Sequence, residues 1–400
     1  MTKISRHDFT HDTIRSPFKT ISYLEAGPSD GPLMIFVHGW PAVAATWRAQ
    51  ITTFAGLGFH VVAPDMPGYG GSTIKSRDKA DYSMQSLVTV MVMLLKHLGR
   101  DEAVWVGHDW GAAVVWALLA HEPQTCTGVV NLCLPYRTLE LGVDELLKYA
   151  NRELYPEDEY PNAQWDYVKF CTDADGANFD KAVQFYESDI GNLMKALFRP
   201  HSPEGHGKRA FTSTVSKDGG WFGGAEKPPP TDLKDSLLDA EMLKELTEAF
   251  EKEDGGFWAP TAYYLNDDAN KVWAEDWSVN EGVVSVPTLF VEASQDHVVG
   301  SYNSTIKEPM ESFCRRHTNV SIEAGHWVAL ERPEQTNAAI ARWILTAIPR
   351  AWPYEKATPL KELKSEPTKN ALLSVSSRLG HKGNNLTTPD IYRPIQKIEK

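Results

Sequence analysis

Val104-Trp105-Val106-Gly107-His108-Asp109-Trp110-Gly111-Ala112 decides the fold: a buried-strand pattern runs into Gly-x-Asp-x-Gly and then into a helix of small and apolar residues. The two glycines have a physical task. A sharp strand-to-helix turn lifts the central side chain to the top of a sheet, and bulk at either flank, Gly107 or Gly111, would clash. This is the form of a nucleophile elbow, with Asp109 where hydrolases of esters carry serine. Outward from it, β-rich runs at 19–24, 33–37, 59–63 and 103–106 alternate with helical patterns. Leu87, Val90, Met91, Leu94 and Leu95 recur at helical spacing and predict a crossover helix over 83–98, with Gly99 as its C-cap. Strands alternating with helices predict an α/β fold whose mostly parallel central sheet has helices on both faces.

A further strand is expected at 129–134, after which the sheet pattern stops until 288–291 and 320–322; an amphipathic helix at 335–348 closes the pattern. The expected organisation is therefore a sheet core over 1–135 and 283–350, split by an inserted, mainly helical cap over 136–282, with a C-terminal extension over 351–400. Inside the insertion, Gly219-Gly220-Trp221-Phe222-Gly223-Gly224 and Pro228-Pro229-Pro230 predict a long loop between two helical halves. The extension is set apart by nine Lys/Arg, five Asp/Glu and five prolines, a composition that suits a flexible or draped segment.

The chain has 40 Lys+Arg against 53 Asp+Glu, a formal charge of −13, so the basic footprint of a nucleic-acid binder is missing. The longest apolar run, Ala112 to Ala120, is half of the roughly 18 residues a membrane span needs. The first thirty residues hold no apolar leader core, which predicts cytoplasmic residence. Cys126, Cys133, Cys171 and Cys314 form neither a disulfide framework nor a C-x-x-C pair, and are expected as reduced thiols. No metal or organic cofactor is implied.

Two further residues complete a set with Asp109. Asp296 follows the strand at 288–291 within Ala293-Ser294-Gln295-Asp296-His297, and His326 follows the strand at 320–322 within Ala324-Gly325-His326-Trp327. The order nucleophile, acid, histidine is the one this architecture demands, and each residue sits at the carboxyl edge of the sheet. His108 and His297 are read as satisfied loop histidines without a catalytic role. His38-Gly39-Trp40-Pro41, directly after the strand at 33–37, supplies the loop that carries an oxyanion donor, so the backbone N–H groups of Trp40 and Trp110 are the expected oxyanion hole.

The set His-Gly-x-Pro (His38, Gly39, Pro41), Gly-His-Asp-Trp-Gly, a late Asp and Gly-His-Trp resembles the soluble epoxide hydrolases of the α/β-hydrolase fold, over about residues 17 to 350. That resemblance implies two cap tyrosines that bind the epoxide oxygen. The matching segments are Gln164-Trp165-Asp166-Tyr167 and Pro260-Thr261-Ala262-Tyr263-Tyr264-Leu265-Asn266, which assign the roles to Tyr167 and Tyr264 and read Tyr263 as pocket wall.

An Asp nucleophile is ionised at neutral pH and needs no base to activate it, which frees His326 to activate water. Attack on saturated carbon gives an enzyme ester, splitting one hard substitution into an alkylation and a hydrolysis. The expected partners are a small apolar epoxide and water, giving a 1,2-diol, with a homodimer left open. A haloalkane dehalogenase using the same Asp is the alternative. Trp40 occupies the slot where such enzymes often have Asn, and a tyrosine pair suits an alkoxide leaving group rather than a halide. A hydrolase-fold binding protein without turnover is the second alternative, disfavoured because every catalytic position holds a competent residue.

Overall fold

Eight strands can be traced in the computed structural model, which describes residues 3–11, 19–74, 76–172, 176–205, 207–252, 256–300 and 304–353. They are β1 (Ser5–His11), β2 (Lys19–Ala26), β3 (Leu33–Val37), β4 (His60–Pro64), β5 (Ala103–His108), β6 (Cys126–Leu132), β7 (Thr288–Ala293) and β8 (His317–Ile322). They form one sheet in the order β1-β2-β4-β3-β5-β6-β7-β8. β1 and β2 are the antiparallel strands, and the pairs from β4 through β8 are parallel. The central strands β3, β4 and β5 are buried throughout, as expected of apolar runs covered on both faces.

The crossover helix Met84–His97 starts at Ser83, whose side chain accepts from the Ser86 N–H, and ends before Gly99, which has φ +67. Its Leu87, Val90, Met91, Leu94 and Leu95 are buried, each contributing about 1.5–3 kcal/mol relative to exposure. The helix Trp110–His121 behind the elbow is buried from Trp110 to Ala120. The apolar run Ala112–Ala120 is therefore the central helix of the core, apolar all round because it is covered all round.

Three features depart from the sequence expectations. β1 was not foreseen, because Ser-Arg-His-Asp-Phe-Thr-His has no apolar alternation; it is an edge strand held by the β2 backbone from Ser5↔Glu25 to His11↔Lys19. β6 begins at Cys126 and stops at Leu132, before 134, because Cys133 adopts φ +68 and leaves the strand conformation. β8 starts at His317, ahead of 320, with polar residues that an edge position tolerates.

Between β6 and β7 the longer helices are Ala177–Glu187, Ile190–Leu197, Ala240–Phe250 and Asp267–Trp277. The breaker stretch lies among short turns between Phe198 and Asp239 and includes a turn at Trp221–Gly224 in which Phe222 and Gly223 take left-handed backbone, φ 50 and 76. The final helix is Pro333–Ala347, with proline in its first turn where no N–H partner is lost. Trp352 packs edge-on against Phe59 at 5.6 Å, and the described chain ends at Pro353, so the expected extension lies outside the described residues from 354 onward. No described helix is long and apolar enough to cross a membrane.

Candidate active site

The pairing of β3 with β5 aligns Val37 with Gly107, and that of β5 with β6 aligns His108 with Leu132, so the loops after three strands open on one edge. Asp109 sits at the turn with φ 54 and ψ −125, a conformation that costs a non-glycine residue about 1–3 kcal/mol. Its neighbours make the turn feasible: a Cβ on Gly111 would lie 2.1 Å from the Val37 carbonyl oxygen, and one on Gly107 would lie 2.6 Å from the Gly111 oxygen. Across the edge, a Cβ on Gly39 would lie 2.3 Å from Asp109 Oδ1. Only glycine lets the loop after β3 approach this closely.

That approach delivers a donor. The Trp40 N–H donates to Asp109 Oδ1 at 2.7 Å, and the Trp110 N–H also hydrogen-bonds the carboxylate. Oδ2, the other oxygen, lies 3.7 Å from His326 Nε2. The two oxygens are therefore unequal: Oδ1 is held by the Trp40 amide and Oδ2 faces the histidine. Behind the loop, His38 donates from Nδ1 to the Gly39 carbonyl at 3.0 Å and accepts at Nε2 from the Met66 N–H at 2.9 Å. Those two bonds specify a neutral tautomer, and burial pushes His38 down to about 4. Pro41, next in the motif, lines the cavity above Asp109 with Trp40.

His326 donates from Nδ1 to Asp296 Oδ2 at 2.9 Å, which leaves its Nε2 toward Asp109. The second Asp296 oxygen accepts from the Val298 and Val299 N–H groups at 2.8 and 3.1 Å. Burial alone would raise the Asp296 carboxyl, but the His326 charge and hydrogen bond, His297 and the Val299 N–H outweigh it and hold it well below the usual range. For His326, burial favours the neutral ring, yet the adjacent Asp296 and then Asp109 raise it above 6.5 overall. Asp109 itself is raised by burial, against the pull of His326 and the two backbone donors.

Asp109, His326, Tyr167, Tyr264, Trp40 and Trp221 all line one cavity of about 600 Å³. The rings of Tyr167 and Tyr264 meet edge to face at 5.9 Å, and burial keeps both hydroxyls protonated far above pH 10. Tyr263 is turned away: its hydroxyl donates to the Pro67 carbonyl at 3.0 Å, and it does not line the cavity. His297 does line the cavity.

Three residues at the site are given no role by the sequence reading. Trp221, inside the glycine-rich stretch, packs against Tyr167 at 5.4 Å. His108 donates from Nε2 to the His326 carbonyl at 2.7 Å, and the Cys133 thiol donates to the same oxygen at 3.1 Å. His108 is neutral, pushed down to about 3 by burial and by His326, so it acts as a hydrogen-bond donor and not as a charge. Only the chemistry of a histidine beside the nucleophile could have drawn attention to it.

Comparison with known proteins agrees with the geometry. The alpha/beta hydrolase fold family matches residues 32–333. Epoxide hydrolase A of Mycobacterium tuberculosis is 30% identical over 332 residues, 80% of this chain and 92% of that protein. Bifunctional epoxide hydrolase 2 of Sus scrofa is 27% identical over 333 residues, 82% of this chain and 54% of that protein, so the chain spans about half the length of this mammalian relative. Among solved structures, epoxide hydrolase A from Mycobacterium thermoresistibile superposes with a TM-score of 0.64 at 25% identity, covering 86% of this chain and 99% of that one.

Proposed function

Since the chain belongs to the epoxide hydrolases of the α/β-hydrolase fold, we propose that it opens epoxides through a covalent ester on Asp109 and assign each step to its residues. Residues 136–282 serve as the cap over the site, with residues 1–135 and 283–350 forming the core. The inequality of the two Asp109 oxygens carries the reading, because Oδ1 is held by the Trp40 amide while Oδ2 is free to attack.

In the first half-reaction Oδ2 attacks an epoxide carbon, the C–O bond of the ring breaks, and the departing oxygen takes a proton from Tyr167 or Tyr264. An alkoxide is more basic than an ordinary phenolate, and burial keeps both phenols in the protonated form that can donate. In the second, His326 Nε2 takes a proton from water as the water oxygen bonds the ester carbonyl carbon. The resulting oxyanion is Oδ1, already seated on the Trp40 N–H, a donor worth on the order of 3 kcal/mol, with the Trp110 N–H on the same carboxylate. Collapse breaks the bond from that carbon to Oδ2, the protons return to the alcohol and tyrosine, and a 1,2-diol leaves. An aromatic-lined cavity suits apolar epoxides. Four free, buried cysteines support a reducing, cytoplasmic setting.

Forming the ester also tunes the base. Asp109 is one of the charges that raise His326; once esterified it is neutral, so His326 loses that support and becomes easier to keep unprotonated when it must accept a proton. Below its raised pKa, His326 is protonated and cannot activate water. Ester breakdown is therefore expected to fall as pH drops through the His326 pKa of the ester, which lies below that of the free enzyme. Single-turnover traces between pH 5 and 9 check this: the fraction of enzyme held as ester must grow toward acid, and a fraction that shrinks there would exclude His326 as the base.

The cap tyrosines give a second expectation. Tyr167→Phe and Tyr264→Phe each slow ester formation by about tenfold to a hundredfold and spare ester breakdown. Tyr263→Phe leaves both rates in place and lowers stability by about 1 kcal/mol through its lost bond to Pro67. Stopped-flow traces with denaturant titration test all three, and slowing by Tyr263→Phe alone would reverse the assignment.

The reaction class itself is tested by one turnover in oxygen-18 water with aryl and alkyl epoxides. The diol must leave with oxygen-16 at its new hydroxyl while label enters Asp109. Label entering the diol directly would make Asp109 a base, and halide release from haloalkanes without any diol would favour dehalogenation.

A further inference from the structure

Beyond the triad, one buried carboxylate contacts the segments on both sides of the cavity. Glu331 ends the short helix Val328–Glu331 that follows the catalytic histidine, and its side chain is 2% exposed. Its Oε2 accepts from the Gly325 N–H at 2.9 Å and from the His201 N–H at 3.2 Å, while Oε1 pairs with His201 Nδ1. Arg332 Nη2 stands 3.6 Å away. Gly325 is the residue before His326, and His201 lies on the insertion segment that lines the cavity.

The contact is close and it has a second limb. A Cβ on Gly325 would fall 3.2–3.3 Å from the backbone and Cβ of His201, so the insertion segment lies flush on the histidine's loop. On the other side of His326, the Trp327 indole N–H donates to the Leu197 carbonyl at 2.8 Å, and the Trp327 ring stacks on Phe198 at 3.8 Å. His326 is thus bracketed by two residues, Gly325 and Trp327, both tied to residues 197–201.

We infer that Glu331, with His201, is a positioning pair that sets where His326 Nε2 stands when water attacks the Asp109 ester, and so links the cavity wall to the second half-reaction. This rests on the ester reading of the preceding subsection. The asymmetry between half-reactions follows from geometry. Asp109 is held by the loops after β3 and β5, which Glu331 does not touch, so alkylation does not depend on the pair. Ester hydrolysis depends on the ring of His326, whose Nδ1 is fixed by Asp296 but whose main chain is fixed by Glu331 on one side and by His108 and Cys133 on the other. Removing a charged acceptor from buried N–H donors leaves those donors unsatisfied, and the loop shifts to find others.

The experiment resolves ester formation from ester breakdown by stopped-flow and quenched-flow intact mass, using styrene oxide as the probe and the full chain. In Glu331→Ala, which removes both carboxylate oxygens, breakdown is expected to slow about tenfold or more while formation stays within about threefold. The steady-state signature is a fall in kcat with a matching fall in KM, and a larger fraction of protein carrying the adduct. His201→Ala, which keeps the backbone bonds to Glu331, is expected to shift the same ratio less, and it supplies the test if Glu331→Ala does not fold. The ratio of the two constants is indifferent to how much protein is active, so a merely destabilising change would not move it. Constants that fall together, or a breakdown rate that does not change, overturn the inference while leaving the ester mechanism standing. A wild-type protein that forms no adduct overturns the mechanism, and the inference with it.

Discussion

In a His326→Gln variant the Asp109 ester is expected to form and then persist, leaving intact protein heavier by the mass of one epoxide and turnover down by about four orders of magnitude. Glutamine can occupy the space near Asp296 but offers no basic nitrogen to take a proton from water. Alkylation needs none, since Asp109 is itself the nucleophile and lines the cavity. A single exposure to substrate should therefore consume one equivalent and stop, and peptide mapping should locate the added mass on Asp109. Substrate that continues to disappear with no adduct on the protein would mean that His326 serves the first step, or that no ester exists.

The second large effect is expected from a methyl group. Gly39→Ala places a Cβ 2.3 Å from Asp109 Oδ1 and 2.7 Å from the His108 carbonyl oxygen, distances at which the loop after β3 must retreat. Retreat takes the Trp40 N–H with it, and loss of one such donor slows ester hydrolysis by about a hundredfold to a thousandfold. Gly99→Ala is the matched control. Gly99 also has a demanding backbone, φ +67, but a Cβ there meets nothing within 4 Å, so it should cost about 1 kcal/mol of stability and no activity. Comparing the two in kcat and in thermal melting separates the loss of a donor from a general weakening of the fold. Equal kcat in both variants would remove the Trp40 amide from the mechanism.

How far the sequence could be read depended on whether a position is constrained by its neighbours in the chain or by residues far away. The elbow was legible because Gly107 and Gly111 sit within two residues of Asp109, and the apolar run behind it announces a covered helix. Asp296 and His326 were legible through their order and their place after strands. β1 was not, because an edge strand is held by backbone hydrogen bonds and leaves its side chains free to be polar. Tyr263 and Tyr264 are adjacent, equally aromatic and equally buried; what separates them is the Pro67 carbonyl, nearly two hundred residues away, which takes one hydroxyl out of the cavity. Trp221 was hidden for the opposite reason: six residues that read as a breaker instead seat an indole against Tyr167. Glu331 gives no local sign of its tie to the insertion, since His201 meets it only once the insertion has folded onto the core.

The sheet order has a consequence for how the chain is made. β6 pairs on one side with β5, which precedes it, and on the other with β7, which lies beyond the whole insertion. A ribosome adding roughly 5–20 residues per second needs on the order of ten to thirty seconds to traverse that insertion. Throughout that interval the emerging half-sheet presents the run Val129–Leu132, buried in the finished protein, as an open apolar edge with unpaired backbone groups. Until β7 arrives, that edge is open to pairing with other chains, a liability the finished sheet no longer carries.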